Sequence, residues 1–281
     1  MGKEASIIHG AKTREANYNI NAVTFDANTY LIGGSPVQNS KKITGSVWLK
    51  KDNPGSTGTI SETIGNQVNF FSNSSDNIRL TIRGLNLGTD ALVFTVPNGA
   101  LSDGQWHHLL FSADVNGADA SNVHVYLDDT DAGATIDTLL DDDLYLNATW
   151  EISDNIAGAR WVGSMADYWL SSDVYLDLSI EANRRKFINA DGQAIFLGND
   201  GSRPTGSAPR IFLSGDTASW HINKGAAGGF SENGSLTDAA TTPPSEYQKK
   251  MLAWWRLDET GGSTATDSSG ENNSGSMQNG L

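Results

Sequence analysis

The chain has 281 residues, enough for one large β-sandwich or for two ordinary domains. Lys and Arg number 19 against 33 Asp and Glu, a formal charge of −14 with no basic stretch, which argues against nucleic acid as a partner. With no cysteine, disulfides, zinc thiolates, iron–sulfur clusters and thiol nucleophiles are excluded together, and no apolar run approaches the 18 or so residues of a membrane span.

The first residues, MGKEASIIHGAKTREANYN, scatter charge and lack an apolar segment, so 1–19 is expected to be an arm and not a secretory signal. Beyond it, 30 Gly and 24 Asn cut the chain into lengths suited to strands and turns. Val23-Thr24-Phe25 is the first strand. From Ile43 to Lys50 the alternation puts Ile43, Val47 and Leu49 on one face and Thr44, Ser46, Trp48 and Lys50 on the other. The same period recurs in Val68-Asn69-Phe70, Ile78 to Arg83, Leu92 to Val96, Trp106 to Ala113, Val123 to Leu127 and Trp161 to Leu170. One exception, 179–188, reads as a short surface helix capped by Ser179 with Ile180, Phe187 and Ile188 toward the core. The stretch 189–209 is turn-rich, and Thr241 to Ser245 reads as a linker. Met251 to Asp258 is strand-like, yet the remainder of the tail is too polar to supply a core. The pattern predicts an all-β sandwich of two antiparallel sheets over 20–240, followed by a linker and tail over 241–281.

Several segments resemble the concanavalin A-like, laminin-G-type jelly-roll sandwiches. The most specific is Asp103-Gly104-Gln105-Trp106-His107-His108, followed by Val125-Tyr126-Leu127-Asp128-Asp129. Ala22 to Asp26 with Tyr30-Leu31, Gly45 to Lys50, and Gly163 to Trp169 are similar to further strands of that family, and together the matches span roughly 20–188. Trp255 to Glu259 and Thr266 to Gly270 are similar to the segment that normally opens such a domain, here displaced to the carboxyl end. A narrower likeness, in Asp177 to Phe187, Leu213-Ser214-Gly215-Asp216, Trp220 to Gly225 and Gly228-Gly229-Phe230, is to proteins of tailed-phage virions and prophages.

The enzymes of this fold place glutamates two and four apart on one strand, whereas the nine Glu here never fall closer than eleven residues, so no catalytic residue is expected. His107 and His108 are adjacent on a strand and point to opposite faces, so they cannot share a metal. Asp128 to Asp131 and Asp137 to Asp143 fall in or beside hairpins, where carboxylates keep turns solvated. No cofactor is required. The resemblance implies at most a structural calcium ion, with Asp167 and by position Asp26 as ligands. It also implies glycan binding through aromatic and polar side chains, for which Trp48, Arg79, Arg83, Tyr168 and Trp169 are the candidates. Either Tyr168 or Trp169 must face away from the core. The strand with Leu252, Trp254, Trp255 and Leu257 has no domain of its own and is expected to pair with a sheet edge, in this subunit or a neighbour.

The expected function is that of a non-enzymatic phage virion protein, a decoration, fibre or baseplate component. It would be made in the host cytoplasm, assemble with copies of itself or other virion proteins, and touch host-surface glycans. The alternatives are a carbohydrate-binding module of a bacterial exported protein and, last, a polysaccharide hydrolase.

Overall fold

The computed structural model describes residues 20–154, 158–245, 264–266 and 274–276. Two compact units emerge, Tyr18–Ser245 and a second one made of Met1–Asn17 with Glu246–Leu281. Of the second unit, the described part is the antiparallel pair Thr264–Ala265 and Gly275–Ser276. The predicted arm and the strand bearing Leu252, Trp254, Trp255 and Leu257 lie outside the described residues.

The larger unit is a sandwich of two antiparallel sheets, with strands numbered in chain order. The first sheet runs β10 (Thr130–Asp131), β9 (Val123–Leu127), β8 (Trp106–Asp114), β3 (Lys42–Lys51), β13 (Gly163–Ser171), β1 (Val23–Phe25) and β16 (Thr237–Asp238), with β14 (Ile211–Leu213) also on β13. The second runs β11 (Thr135–Leu139), β7 (Asp90–Val96), β6 (Ile78–Arg83), β5 (Val68–Ser72), β4 (Gly58–Thr63), β12 (Trp150–Ile152), β2 (Tyr30–Gly33) and β15 (Phe230–Asn233). Alternate side chains of both sheets meet between them: Phe25, Leu49, Leu109 and Phe111 from one, Leu31, Phe70, Leu80 and Phe94 from the other. The Phe111 ring lies 5.9 Å from that of Phe70 and 5.6 Å from that of Phe94. Each buried side chain of this size contributes about 1.5–3 kcal/mol, which makes this layer the main source of stability.

At the end of β3 the alternation brings Lys51 into the interior. Its ammonium donates to Asp76 Oδ1 at 2.6 Å and to Ser72 Oγ at 2.9 Å, and the Asp76 carboxylate also accepts from the Gly55 N–H. The pair is buried, Lys51 completely.

A third layer explains why the first sheet does not alternate. On β3 and β13 both faces are buried, because 174–197, with Phe212 and 239–245, folds back over the outer side. Leu176, Leu178, Phe187, Leu197 and Phe212 pack on Leu110 and Trp169, while Ile20, Ala22, Ile188 and Ala194 pack on Trp48 and Ala166. Arg184 and Arg185 tie this layer to the β9–β10 turn by gripping the two oxygens of Asp129 at 2.7 and 2.8 Å. Thr241 to Ser245, read from sequence as a linker, is part of the cover: Pro244 O accepts from Ala194 N–H at 2.8 Å and Thr241 Oγ1 from the Trp106 indole at 3.1 Å.

The predicted helix shrinks to one turn, α1 (Glu181–Arg184). Ser179 does not cap it; the Ser179 N–H and hydroxyl instead donate to Asp177 Oδ1, and Ile180 takes the cap position 52% exposed. Phe187 and Ile188 are buried as expected.

Candidate binding face

With one side of the sandwich covered, the outer side of the second sheet is where its strands alternate between buried and half-exposed residues, most clearly on β5 and β6. Register assigns its members. One cross-strand row holds Phe71, Arg79, Thr95 and Thr135, and the next holds Glu151, Glu62, Asn69, Thr81, Val93 and Thr138. Arg79 Nη1 donates to Asp137 Oδ2 at 3.0 Å and Thr95 Oγ1 donates to the same oxygen at 2.8 Å, so the guanidinium is anchored across the strands with donors to spare. Arg83 donates to Gly88 O at 2.8 Å. Four residues apart on one strand, the two guanidinium groups share this face about 13 Å from each other at the root. Planar cationic donors, hydroxyls and amides on a half-exposed sheet are what hydrogen-bonding to a polyhydroxylated ligand needs.

Of the predicted glycan-binding residues, the structure brings together only Arg79 and Arg83. Trp48 lies under the third layer, its ring 4.8 Å from that of His108. Tyr168 points between the sheets, its hydroxyl 2.8 Å from Ser61 Oγ, and burial pushes its pKa up. Trp169 does face away from that core, as alternation requires, but it donates to Gly201 O at 2.8 Å and is closed over by Phe187. No face of these three rings is open to a sugar: Tyr168 is closed by the inter-sheet core, Trp48 and Trp169 by the covering segment, which lies outside the strands that carry them. Phe71, missed in the sequence reading, is an aromatic on the open face, as is Tyr30 of β2, whose ring Arg160 covers at 4.8 Å. The adjacent Phe70-Phe71 pair on β5 was the signal, since neighbours on a strand take opposite faces.

Asp26 and Asp167 do not converge. The β1–β13 register places them five positions apart along the ladder, about 16 Å at about 3.3 Å per residue. Asp26 Oδ1 accepts from Thr29 Oγ1 and Asn28 N–H, both at 2.8 Å, and the Thr29 hydroxyl and Asn28 N–H hold its pKa below the usual carboxylate range. Asp167 is buried at the bulge where β13 changes partner, in the left-handed region at φ 47°. Among the described residues no three His, Asp or Glu side chains gather as metal ligands.

The histidines divide as their alternation requires. His108 is buried on the outer side of the first sheet with Nε2 2.9 Å from Ser46 Oγ, and burial lowers its pKa to about 4. His107 lies between Asp128 Oδ2 at 2.7 Å and Asp103 Oδ1 at 2.9 Å. The hairpin carboxylates are thus fasteners: Asp128 also takes the His108 N–H, and Asp142, itself buried, accepts from Asn86 and Leu87 N–H.

The segment resembling virion proteins is also framework. Asn223 Oδ1 accepts from Phe212 and Gly225 N–H, and its Nδ2 donates to the carbonyls of Arg210, Ala227 and Gly228. Trp220 is fully buried edge-on to Phe25 at 5.6 Å, and Lys224 donates to Ser214 O and Oγ.

The sequence profile of the Concanavalin A-like lectin/glucanases superfamily matches residues 20–180. Among solved structures, the fold is similar to a native heptameric SAP-like pentraxin from Limulus polyphemus, at 15% identity and a TM-score of 0.50 over 81% of this chain and 96% of that one. It is also similar to a putative carbohydrate binding protein from Bacteroides ovatus, at 14% identity and a TM-score of 0.53 over 80% of this chain and 61% of that one. No curated protein matches.

Proposed function

We propose that this chain, which belongs to the concanavalin A-like lectin/glucanases superfamily, is a non-enzymatic binding protein that presents the outer side of its second sheet to surface glycans. Its setting in this reading is the virion of a tailed phage, where it assembles with copies of itself or with other virion proteins after synthesis in the host cytoplasm. The observation that carries the binding half is the asymmetry of the sandwich: one outer side sealed by 174–197 with Phe212 and 239–245, the other a half-exposed field of Arg79, Arg83, Thr81, Thr95 and Asn69 around Phe71. The likeness of 177–187 and 213–230 to virion proteins supports the setting. The absence of turnover is supported by the Glu62–Glu151 pair, whose carboxyls are in hydrogen-bond contact, whereas cleaving a sugar bond requires them about 5–9 Å apart on either side of it.

A second reading, a carbohydrate-binding module of a bacterial exported protein, is favoured by the likeness to the Bacteroides ovatus protein. The two share the glycan and differ in self-assembly, which light scattering separates.

Arg79→Ala/Arg83→Ala is expected to weaken binding to an immobilised host polysaccharide at least about tenfold, or about 1.4 kcal/mol, and to leave the melting temperature within a few degrees. Unchanged affinity would remove the face from consideration. Sugar fragments released by the wild-type chain would contradict the non-enzymatic reading.

A further inference from the structure

Glu62 and Glu151 stand directly opposite each other across β4 and β12, Glu62 with only 1% of its surface exposed, and their carboxyls are hydrogen-bonded. Like charges directly opposed on a ladder repel, so such a contact persists only with a proton or a cation between the oxygens.

Two further oxygens independently call for a partner. Asn69 is opposite Glu62 on β5, and its Oδ1 is buried without a donor. Thr59 is opposite Phe71, two positions from Asn69, so its side chain points to the same side as Glu62 and Asn69. It is 0% exposed and its hydroxyl has no hydrogen-bond partner. A buried polar atom left in this state costs about 1–3 kcal/mol, and here two such atoms share the side of the sheet that carries the carboxyl pair, one beside Glu62 and the other two register positions along β5 from it.

We propose that the outer side of β4 is a divalent-cation site in which the carboxylates of Glu62 and Glu151, the amide oxygen of Asn69 and the hydroxyl of Thr59 bind an ion of the calcium class. Every donor is a hard oxygen and none is nitrogen or sulfur, which selects against zinc and copper. Two carboxylates balance the charge of a doubly charged ion. Calcium accepts the irregular set of six to eight oxygens that such a row, completed by water, supplies, whereas magnesium demands a near-ideal octahedron. This site is separate from Asp26 and Asp167 and does not depend on glycan binding.

The test is calorimetric titration of the full chain with calcium chloride, paired with thermal melting, for wild type, Glu151→Gln, Asn69→Leu and Asp167→Asn. Gln keeps the shape of Glu151 and can still hydrogen-bond Glu62, so that variant is expected to melt like wild type without calcium. Wild type should bind with a dissociation constant of about 10⁻⁵–10⁻³ M and melt higher with calcium; Glu151→Gln and Asn69→Leu should each bind at least about tenfold more weakly, and Asp167→Asn like wild type. No heat and no melting shift up to about 10 mM calcium would overturn the proposal. So would binding that both row variants retain, or that only Asp167→Asn loses.

Discussion

Lys51→Ala is expected to cost about 3–5 kcal/mol of unfolding free energy, a large share of the roughly 5–15 kcal/mol available to a domain. The cost comes less from the attraction that is lost than from the Asp76 carboxylate left behind in a space without water. Asp76 keeps the Gly55 N–H, but among the described residues no second cation forms an ion pair with it. Asp76→Asn strands the ammonium in the same way, with Ser72 Oγ as a remaining acceptor. Lys51→Met with Asp76→Asn removes both charges and should cost clearly less than the sum of the single changes. Urea unfolding of the four chains measures this; a loss below about 1 kcal/mol for Lys51→Ala would show that water reaches the pair after all.

Stability is next expected to fall as the pH rises from about 6.5 to about 9, and His107→Asn should abolish most of that fall. Both ring nitrogens of His107 face carboxylate oxygens, so the imidazolium satisfies the site and the neutral ring cannot. The Asp128 hydrogen bond, against some loss of hydration and with help from Asp103, raises the pKa to about 9. A folded-state pKa above the unfolded value near 6.5 means that the contribution is whole below pH 6.5 and disappears through pH 9. The full shift corresponds to about 3 kcal/mol, which screening at the half-exposed carboxylates brings to about 1–2 kcal/mol. His108 acts oppositely: buried and held near 4, it stabilises the fold above pH 6.5 and loses that contribution as the pH falls toward 4. Stability should therefore peak close to pH 6.5. Identical pH profiles for wild type and His107→Asn would contradict the clasp.

The strands were legible where one side meets water. On β6 the sequence Ile78-Arg79-Leu80-Thr81-Ile82-Arg83 writes its own orientation, and Arg79 and Arg83 lie where the pattern puts them. On β3 the same rule assigned Trp48 correctly to the side away from the inter-sheet core, yet that side is covered by residues more than a hundred positions later, and nothing local announces such a cover. β4, Gly58 to Thr63, carries no alternation because polar side chains on both faces are buried by neighbours distant in sequence. For the same reason the Glu62–Glu151 contact was illegible: 89 residues separate its members, and only the β4–β12 register joins them. The helix over 179–188 was overextended because Asp177, not Ser179, organises its start.

The central claim is that the second sheet's outer side, and not the covered side or an edge, takes the glycan. It is tested most directly by hydroxyl-radical footprinting of the chain alone and saturated with the tightest-binding sugar from a glycan array. Protection is expected at Phe71, Arg79 and the strands 68–96 around them, with 174–197 unchanged. Protection confined to 174–197 or to the β9–β10 edge would contradict it.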